Sequence, residues 1–184
     1  MIIAITGDLG SGKSTVAKLI ANKLGFKHYS SGDMFRAIAK ERGITIVELN
    51  KQMEGSRQLD NDIDKHVENL GKKEDNFVID SRLAWHFIPK SFKVFLTVEP
   101  LIGAERIKGH GRAEEKATSS QEMLKETLGR RASETKRYKE YYDLDIRNFK
   151  QYDLVIDTSK IPADQVTQKI LDAIKSTSKT PKAI

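Results

Sequence analysis

Residues 7–15 read GDLGSGKST. Gly7, then Gly12 after four intervening residues, then Lys13 and Ser14 fit the spacing G-x-x-x-x-G-K-[ST], the Walker A pattern of a phosphate-holding loop. Glycines let the backbone curl until successive N–H groups face one anion. A helix opening behind the loop adds its positive N-terminal end. Gly7, Asp8, Leu9, Gly10, Ser11, Gly12, Lys13, Ser14 and Thr15 are therefore the candidate donor-phosphate loop. Lys13 brings a point charge to the outer phosphates, and the Ser14 hydroxyl can ligate Mg²⁺. Asp8 is the odd member, an acid in a loop built for anions. Variable positions of such loops can point outward, which is the expectation for Asp8; the alternative takes it to the metal's water shell or to a lid arginine.

Three further stretches carry chemistry. In SSGDMFR (30–36), Ser31 and Asp33 are good helix caps and Arg36 follows one turn later. The stretch reads equally as a capped helix with an exposed arginine or as a second anion site, with Arg36 gripping a phosphate. In VIDSR (78–82), an apolar run ends in Asp80, a Walker B-like pattern that can hold the Mg²⁺ shell; a helix cap at Asp80 or Ser81 is the plainer alternative. Arg82 follows, placed to clamp an acceptor phosphate with Arg36 from two sides.

The third stretch is LGRRASETKRYKEYY (128–142). Arg130, Glu134, Arg137 and Tyr141 share one helix face, and Leu124 and Leu128 continue that stripe. Such a face is ordinarily a salt-bridged solvent surface. Coming after the fourth strand of the pattern below, it is also where a phosphoryl-transfer site needs arginines, so Arg130 and Arg137 are the candidate charge stabilisers. Arg106 and Arg112 are further candidates for the same work. Trp85 and Phe87 could stack on a base, although a lone tryptophan near a strand end more often belongs to the core.

These residues need a scaffold. Apolar runs at 2–6, 26–30, 76–80, 92–98 and 153–158 read as strands, each followed by polar or glycine-containing turns. Helical patterns lie between them. Residues 13–24 place Ala17, Ile20, Ala21 and Leu24 on one face; the last helix, after Ile161, has Pro162 and Asp164 at its start and Val166, Ile170 and Ile174 as its stripe. Alternation of strand and helix implies a small α/β domain, a five-stranded parallel sheet covered on both sides. Ligands of such sheets bind beyond the carboxyl ends of the strands, where all four chemical stretches fall. There is no internal repeat. Residues 31–75 and 99–150 exceed simple crossovers, and GHGRAEEKATSS within the latter is expected to be a mobile loop.

Composition narrows the function classes. A chain of 184 residues without cysteine has no disulfide scaffold, thiol nucleophile or Cys-based zinc site. Its four histidines show no metal-ligand spacing. No apolar run is long enough to span a membrane and no secretory leader is visible, so a cytoplasmic protein is expected. The net charge of +6 is dispersed among alternating Lys and Glu, which favours solvated helix faces over a nucleic-acid arm. The tail KSTSKTPKAI is biased toward local disorder.

Taken together, the Walker A loop, SSGDMFR, the Asp–x–Arg after strand three and the basic helix resemble a nucleoside monophosphate kinase. SGDMFR is similar to the acceptor-binding stretch of adenylate kinases. AKERG, DSRLA, AERI, SETKRYKEYYDLDI and YDLVIDTSK resemble the cytidylate kinase family, especially its short-lid, archaeal-type branch, across residues 1 to about 175. The resemblance implies a three-layer P-loop fold with strand order 2-3-1-4-5, an acceptor-binding insertion near 31–70, a short lid near 105–118 and a flexible tail at 176–184. It implies ATP and Mg²⁺ on residues 7–15, with Ser14 and Asp80 as metal ligands. It further implies an acceptor phosphate on Ser31, Arg36 and Arg82, lid arginines at Arg130 and Arg137, and Glu134 close to the nucleotide sugar; Asp33, beside Arg36, is a further candidate substrate-binding residue. The chain departs from the bacterial branch at Ser81 and Leu83; the latter replaces an aspartate linked to cytosine recognition, and the archaeal-type branch also has a leucine there.

The expected partners are small nucleotides acting on a monomer, without nucleic acid or membrane. CMP or dCMP is the leading acceptor, with AMP as in adenylate kinases, or the alcohol of a small metabolite, as alternatives. An alcohol acceptor benefits from a base, for which Asp33 is the candidate. An RNA-associated P-loop ATPase is the reading from another class, suggested by the charge.

Overall fold

A computed structural model describes residues 1–53, 57–109 and 119–179. Five strands are present: β1 (Ile2–Gly7), β2 (Lys27–Ser30), β3 (Phe77–Asp80), β4 (Phe92–Thr97) and β5 (Leu154–Asp157). Eight helices connect them: α1 (Lys13–Leu24), α2 (Ser31–Glu41), α3 (Ile46–Met53), α4 (Gln58–Lys73), α5 (Ala84–Phe87), α6 (Pro100–Gly109), α7 (Ser120–Tyr142) and α8 (Ala163–Lys179). All pairings in the sheet are parallel and the order is β2-β3-β1-β4-β5, as expected.

β1 lies in the middle, buried at every position. Its side chains alternate between two cores, as the period of two requires. Ile3 and Ile5 meet Val16, Ala17 and Ile20 of α1 and Val166, Ile170 and Ile174 of α8. Ile2 and Ala4 face the other way, against Ile63 and Val67 of α4 and Trp85, Phe95 and Tyr152. Trp85 belongs to this second core: it is 6% exposed, donates from Nε1 to the Arg82 carbonyl at 3.0 Å and lies against the Tyr152 ring.

Several local expectations change. Leu24 does not join the α1 stripe: it is exposed, because the helix stops there on Gly25 in the left-handed conformation (φ 65). Ser30, not Ser31 or Asp33, caps α2, its hydroxyl accepting from the Asp33 N–H. Neither Asp80 nor Ser81 caps a helix in the expected way; α5 opens only at Ala84, after Leu83. Leu128 is exposed, so the inward stripe of α7 runs instead through Met123, Thr127, Glu134 and Arg137. α7 begins on a capping box, Ser119 and Glu122 exchanging hydrogen bonds. α8 extends through Lys179, so residues 176–179 of the expected tail are helical, with Ser176 and Thr177 hydroxyls donating to the Ala173 carbonyl.

The expected acceptor-binding insertion corresponds to α2, α3 and most of α4. Of the expected lid, residues 105–109 close α6, while 110–118, with Arg112, lie outside the described residues, as do 180–184. No described helix is long and apolar enough to cross a membrane.

Candidate active site

The parallel sheet delivers its chemistry to one edge. β1 ends in Gly7, β2 in Ser30 and β3 in Asp80, with Ser30 in register with Asp80 and Asp80 with Ile5. A cleft lies beyond these ends, lined by loop residues 9–15, the start of α2, the β3 end, and faces of α4, α6 and α7.

On the loop side, α1 starts at Lys13 with Gly12 as its cap, in the left-handed region (φ 85) and without a side-chain cap bond. The first N–H groups of α1 are thus left to an anion, which is the physics anticipated from the spacing. Gly10 (φ +76) sits so close to α6 that a Cβ there would stand 2.2 Å from the Gly103 carbonyl oxygen. Leu9, Gly10, Gly12, Lys13, Ser14 and Thr15 line the cleft. Lys13 Nζ donates to the Asp8 carbonyl at 2.7 Å; burial first, then the Arg82 charge, push its pKa well down, with Asp80 and Glu134 opposing. An incoming phosphate would restore the ammonium. Gly7, Asp8 and Ser11 support the loop from behind. The Gly7 carbonyl accepts from Arg82 and the Ser11 carbonyl from Thr158 Oγ1 at 3.1 Å.

The expected outward Asp8 is not found. Its side chain is only 12% exposed; one oxygen pairs with Arg147 Nη1 and the other accepts from the Val98 N–H at 3.3 Å. Arg147 lies after α7, outside the expected lid, and stacks over the rings of Phe95 and Phe149. A carboxylate directed under the loop finds a cation; outward it would have faced the arriving phosphates.

Across the cleft, Glu134 sits between two arginines. Arg82 Nε lies 2.8 Å from Glu134 Oε2 and Arg130 Nε lies 3.1 Å from Oε1. Burial would raise the Glu134 pKa, but the two guanidiniums overcome it and hold the group at about 2. This face of α7 is a wall of the cleft and not the salt-bridged solvent surface that its periodicity ordinarily marks: Glu134 is 5% and Arg137 2% exposed. Arg137 pairs with Asp60 of α4, Nε to Oδ2 at 2.8 Å. Arg106 also lines the cleft and donates to the Thr158 carbonyl at 2.8 Å.

Arg36 lines the cleft and pairs with Asp33. Asp33 itself does not line it; its side chain is 56% exposed, and Arg36 overcomes the effect of burial to lower its pKa. Ser31 lines the cleft, is buried, and its hydroxyl has no hydrogen-bond partner among the described residues.

Asp80 is buried, and neither of its oxygens has a hydrogen-bond partner among the described residues. The nearest cationic candidate, His28 Nε2, is 3.9 Å away, and burial depresses the His28 pKa despite Asp80, keeping the imidazole neutral at pH 7. A buried carboxylate without donors asks for a cation. Ser14 lines the same cleft, so this pair fits Mg²⁺, which takes few protein ligands and keeps much of its water. No cluster of three or more His, Cys, Asp or Glu that could form an all-protein metal cage occurs among the described residues.

Sequence reasoning missed part of the cleft lining: Phe35, Asn50, Asp60, Ile63 and Asp64. One signal was available. Asp60, Ile63 and Val67 are spaced as the buried face of an amphipathic helix, and an acid in that apolar phase has a reason to be there.

A model of the cytidylate kinase-like family matches residues 2–160. The cytidylate kinase of Natronomonas pharaonis is 38% identical over 178 residues, covering 96% of this chain and 90% of its own. That of Methanocaldococcus jannaschii is 38% identical over 184 residues, covering 97% and 100%. Among solved structures, shikimate kinase from Aquifex aeolicus superposes with a TM-score of 0.60 at 19% identity, covering 97% of this chain and 99% of its own. Deoxyadenosine kinase from M. mycoides, with dCMP and a flexible dCDP bound, gives 0.53 at 20%, covering 96% and 100%. At these identities the solved structures speak for the fold alone.

Proposed function

The chain belongs to the cytidylate kinase-like family, and from that premise we propose that it transfers the γ-phosphoryl group of ATP to a pyrimidine nucleoside monophosphate, CMP or dCMP, giving ADP and the nucleoside diphosphate. The observation that carries this reading is the charge of the cleft. Lys13, Arg36, Arg82, Arg106, Arg130 and Arg137 converge on one cavity at the carboxyl edge of the sheet.

In the proposed reaction the amides of residues 9–15 and Lys13 hold the donor phosphates, with Asp8 acting only through the loop backbone. Ser14 and Asp80 hold Mg²⁺, which when bound neutralises charge on the donor phosphates. Ser31, Arg36 and Arg82 receive the acceptor phosphate, and Asp33 serves by orienting Arg36. Arg130 and Arg137 face the charge that develops between donor and acceptor. The attacking oxygen belongs to a phosphate already ionised at neutral pH, so positioning and charge neutralisation suffice and no strong base is required. That suits a cleft lined by no histidine among the described residues. A metabolite-alcohol kinase would want a base at the acceptor, and the candidate, Asp33, is ion-paired and off the cleft wall. In this reading the enzyme acts on small nucleotides as a cytoplasmic monomer.

The test is ADP release with CMP, dCMP, UMP, AMP and GMP in turn, with Lys13→Ala as control. CMP-dependent release that Lys13→Ala abolishes is the expected result. No acceptor-dependent release with any of the five would overturn the proposal.

A further inference from the structure

The cleft is not lined by cations alone. Apolar side chains of Phe35, Ile63 and Leu83 line it, together with Asn50, Asp60 and Asp64. Asp60 and Asp64 are one turn apart on α4, hence on the same face. A nucleoside monophosphate is an anion joined through a sugar to a flat ring with a polar edge. A cleft lined by cationic, apolar and polar side chains offers each of these parts a counterpart.

The polar groups of this wall are matched unequally. Arg137 Nε lies 2.8 Å from Asp60 Oδ2 as an ion pair, its terminal nitrogens reach Asn50 at 3.5 Å, Asn50 Nδ2 donates to the Ile46 carbonyl at 2.7 Å, and the Tyr142 hydroxyl donates to Asp64 Oδ2. The second oxygen of Asp64 takes no hydrogen bond from the described residues. Asp64 thus has an acceptor to offer a ligand in the cleft that it lines. The 4-position of an amino-pyrimidine carries a donor, and that of an oxo-pyrimidine carries an acceptor.

Resting on the nucleotide-kinase reading above, we propose that Asp64 reads the base: its unengaged oxygen accepts a hydrogen bond from the 4-amino group of cytosine and repels the 4-carbonyl of uracil. Tyr142 fixes the carboxylate, and Asp60 keeps Arg137 from capturing it. Burial pushes Asp64 up to about 6 against the lowering effect of the Tyr142 hydroxyl, so at neutral pH the group is mostly in its accepting, ionised form. A site built to hydrogen-bond one edge rejects the edge that lacks the partner far better than an apolar pocket does.

The experiment compares kcat/KM for CMP and UMP in the wild type, Asp64→Asn and Tyr142→Phe. An asparagine keeps the shape and can still accept from Tyr142, but it presents either a donor or an acceptor to the base. Asp64→Asn is expected to lower the CMP-to-UMP ratio at least about 10-fold while leaving KM for ATP unchanged. Tyr142→Phe keeps the carboxylate but removes the hydroxyl that orients it and opposes its protonation, so it should lower the ratio too, by less than Asp64→Asn. A substrate change on the unmodified protein gives the second arm: the CMP analogue with hydrogen in place of the 4-amino group should lose at least about 10-fold in kcat/KM. An unchanged ratio in Asp64→Asn, or an analogue used as well as CMP, overturns the assignment of Asp64 and leaves the kinase reading intact. A wild type that phosphorylates no nucleoside monophosphate overturns both, and so separates the two failures.

Discussion

Arg82 Nε and Glu134 Oε2 lie 2.8 Å apart across the cleft, with Arg130 on the other carboxylate oxygen. Like charges gathered for phosphates would repel one another in the empty site, and Glu134 offsets that repulsion from a buried position. Breaking a buried pair leaves an uncompensated charge, at a cost on the order of 3 kcal/mol. Glu134→Gln should therefore lower the urea midpoint markedly at pH 7. The folded carboxyl titrates at about 2, below its unfolded value, so its contribution is present above about pH 4.5 and is lost as pH falls toward 2. Variant and wild type should converge at low pH; equal midpoints at pH 7 would contradict the role.

Asp64 predicts the opposite slope. Its pKa is raised to about 6, above the unfolded value, so its stabilising contribution is complete below about pH 4 and is lost as pH rises through 6. Relative to Asp64→Asn, the wild type should lose stability between pH 4 and pH 7. Asp60, Arg137, Arg57 and Tyr142 act on this group, so the comparison belongs at one ionic strength. Denaturation curves that stay parallel across that window would count against a buried, ionisable Asp64.

The Asp8–Arg147 ion pair anchors the loop from below. Asp8→Ala and Arg147→Ala should each raise KM for ATP several-fold and leave KM for the acceptor alone. The double variant should be no worse than either single, because the two share one interaction. Additive effects, or an unchanged KM for ATP in Asp8→Ala, would remove Asp8 from loop positioning.

Gly10 is needed for two separate reasons. Its φ of +76 strains any L-residue, and a Cβ would meet the backbone of Gly103. Gly10→Ala should cost about 2 kcal/mol or more and weaken ATP binding by moving α6 away from the loop. Melting and ATP titration of this variant against the harmless control Gly109→Ala, where a Cβ meets nothing, would show it. Equal melting of the two would refute the packing argument.

The strands, their order and the loop could be read from the sequence because local chemistry dictates them. Buried parallel strands are unbroken apolar runs, and residues 7–15 carry their meaning in their own spacing. The face of α7 was harder. Arg130, Glu134 and Arg137 have the periodicity of a solvated surface; their place after the fourth strand pointed to the site, and the fold adds the partners, Arg82 for Glu134 and Asp60 for Arg137. Asp8 was misjudged because its partner stands 139 residues away, beyond any local pattern. Asn50, Asp60 and Asp64 were missed for a similar reason: they form no motif, and tertiary packing brings them beside Arg137 and Tyr142.

The central claim is transfer of a phosphoryl group to a nucleotide acceptor, and the most direct test follows the phosphorus. With ATP labelled at the γ-phosphoryl group and CMP in excess, the label should appear at the β-position of CDP, one for each ADP formed. Label released only as free phosphate, at a rate indifferent to CMP, would contradict the account.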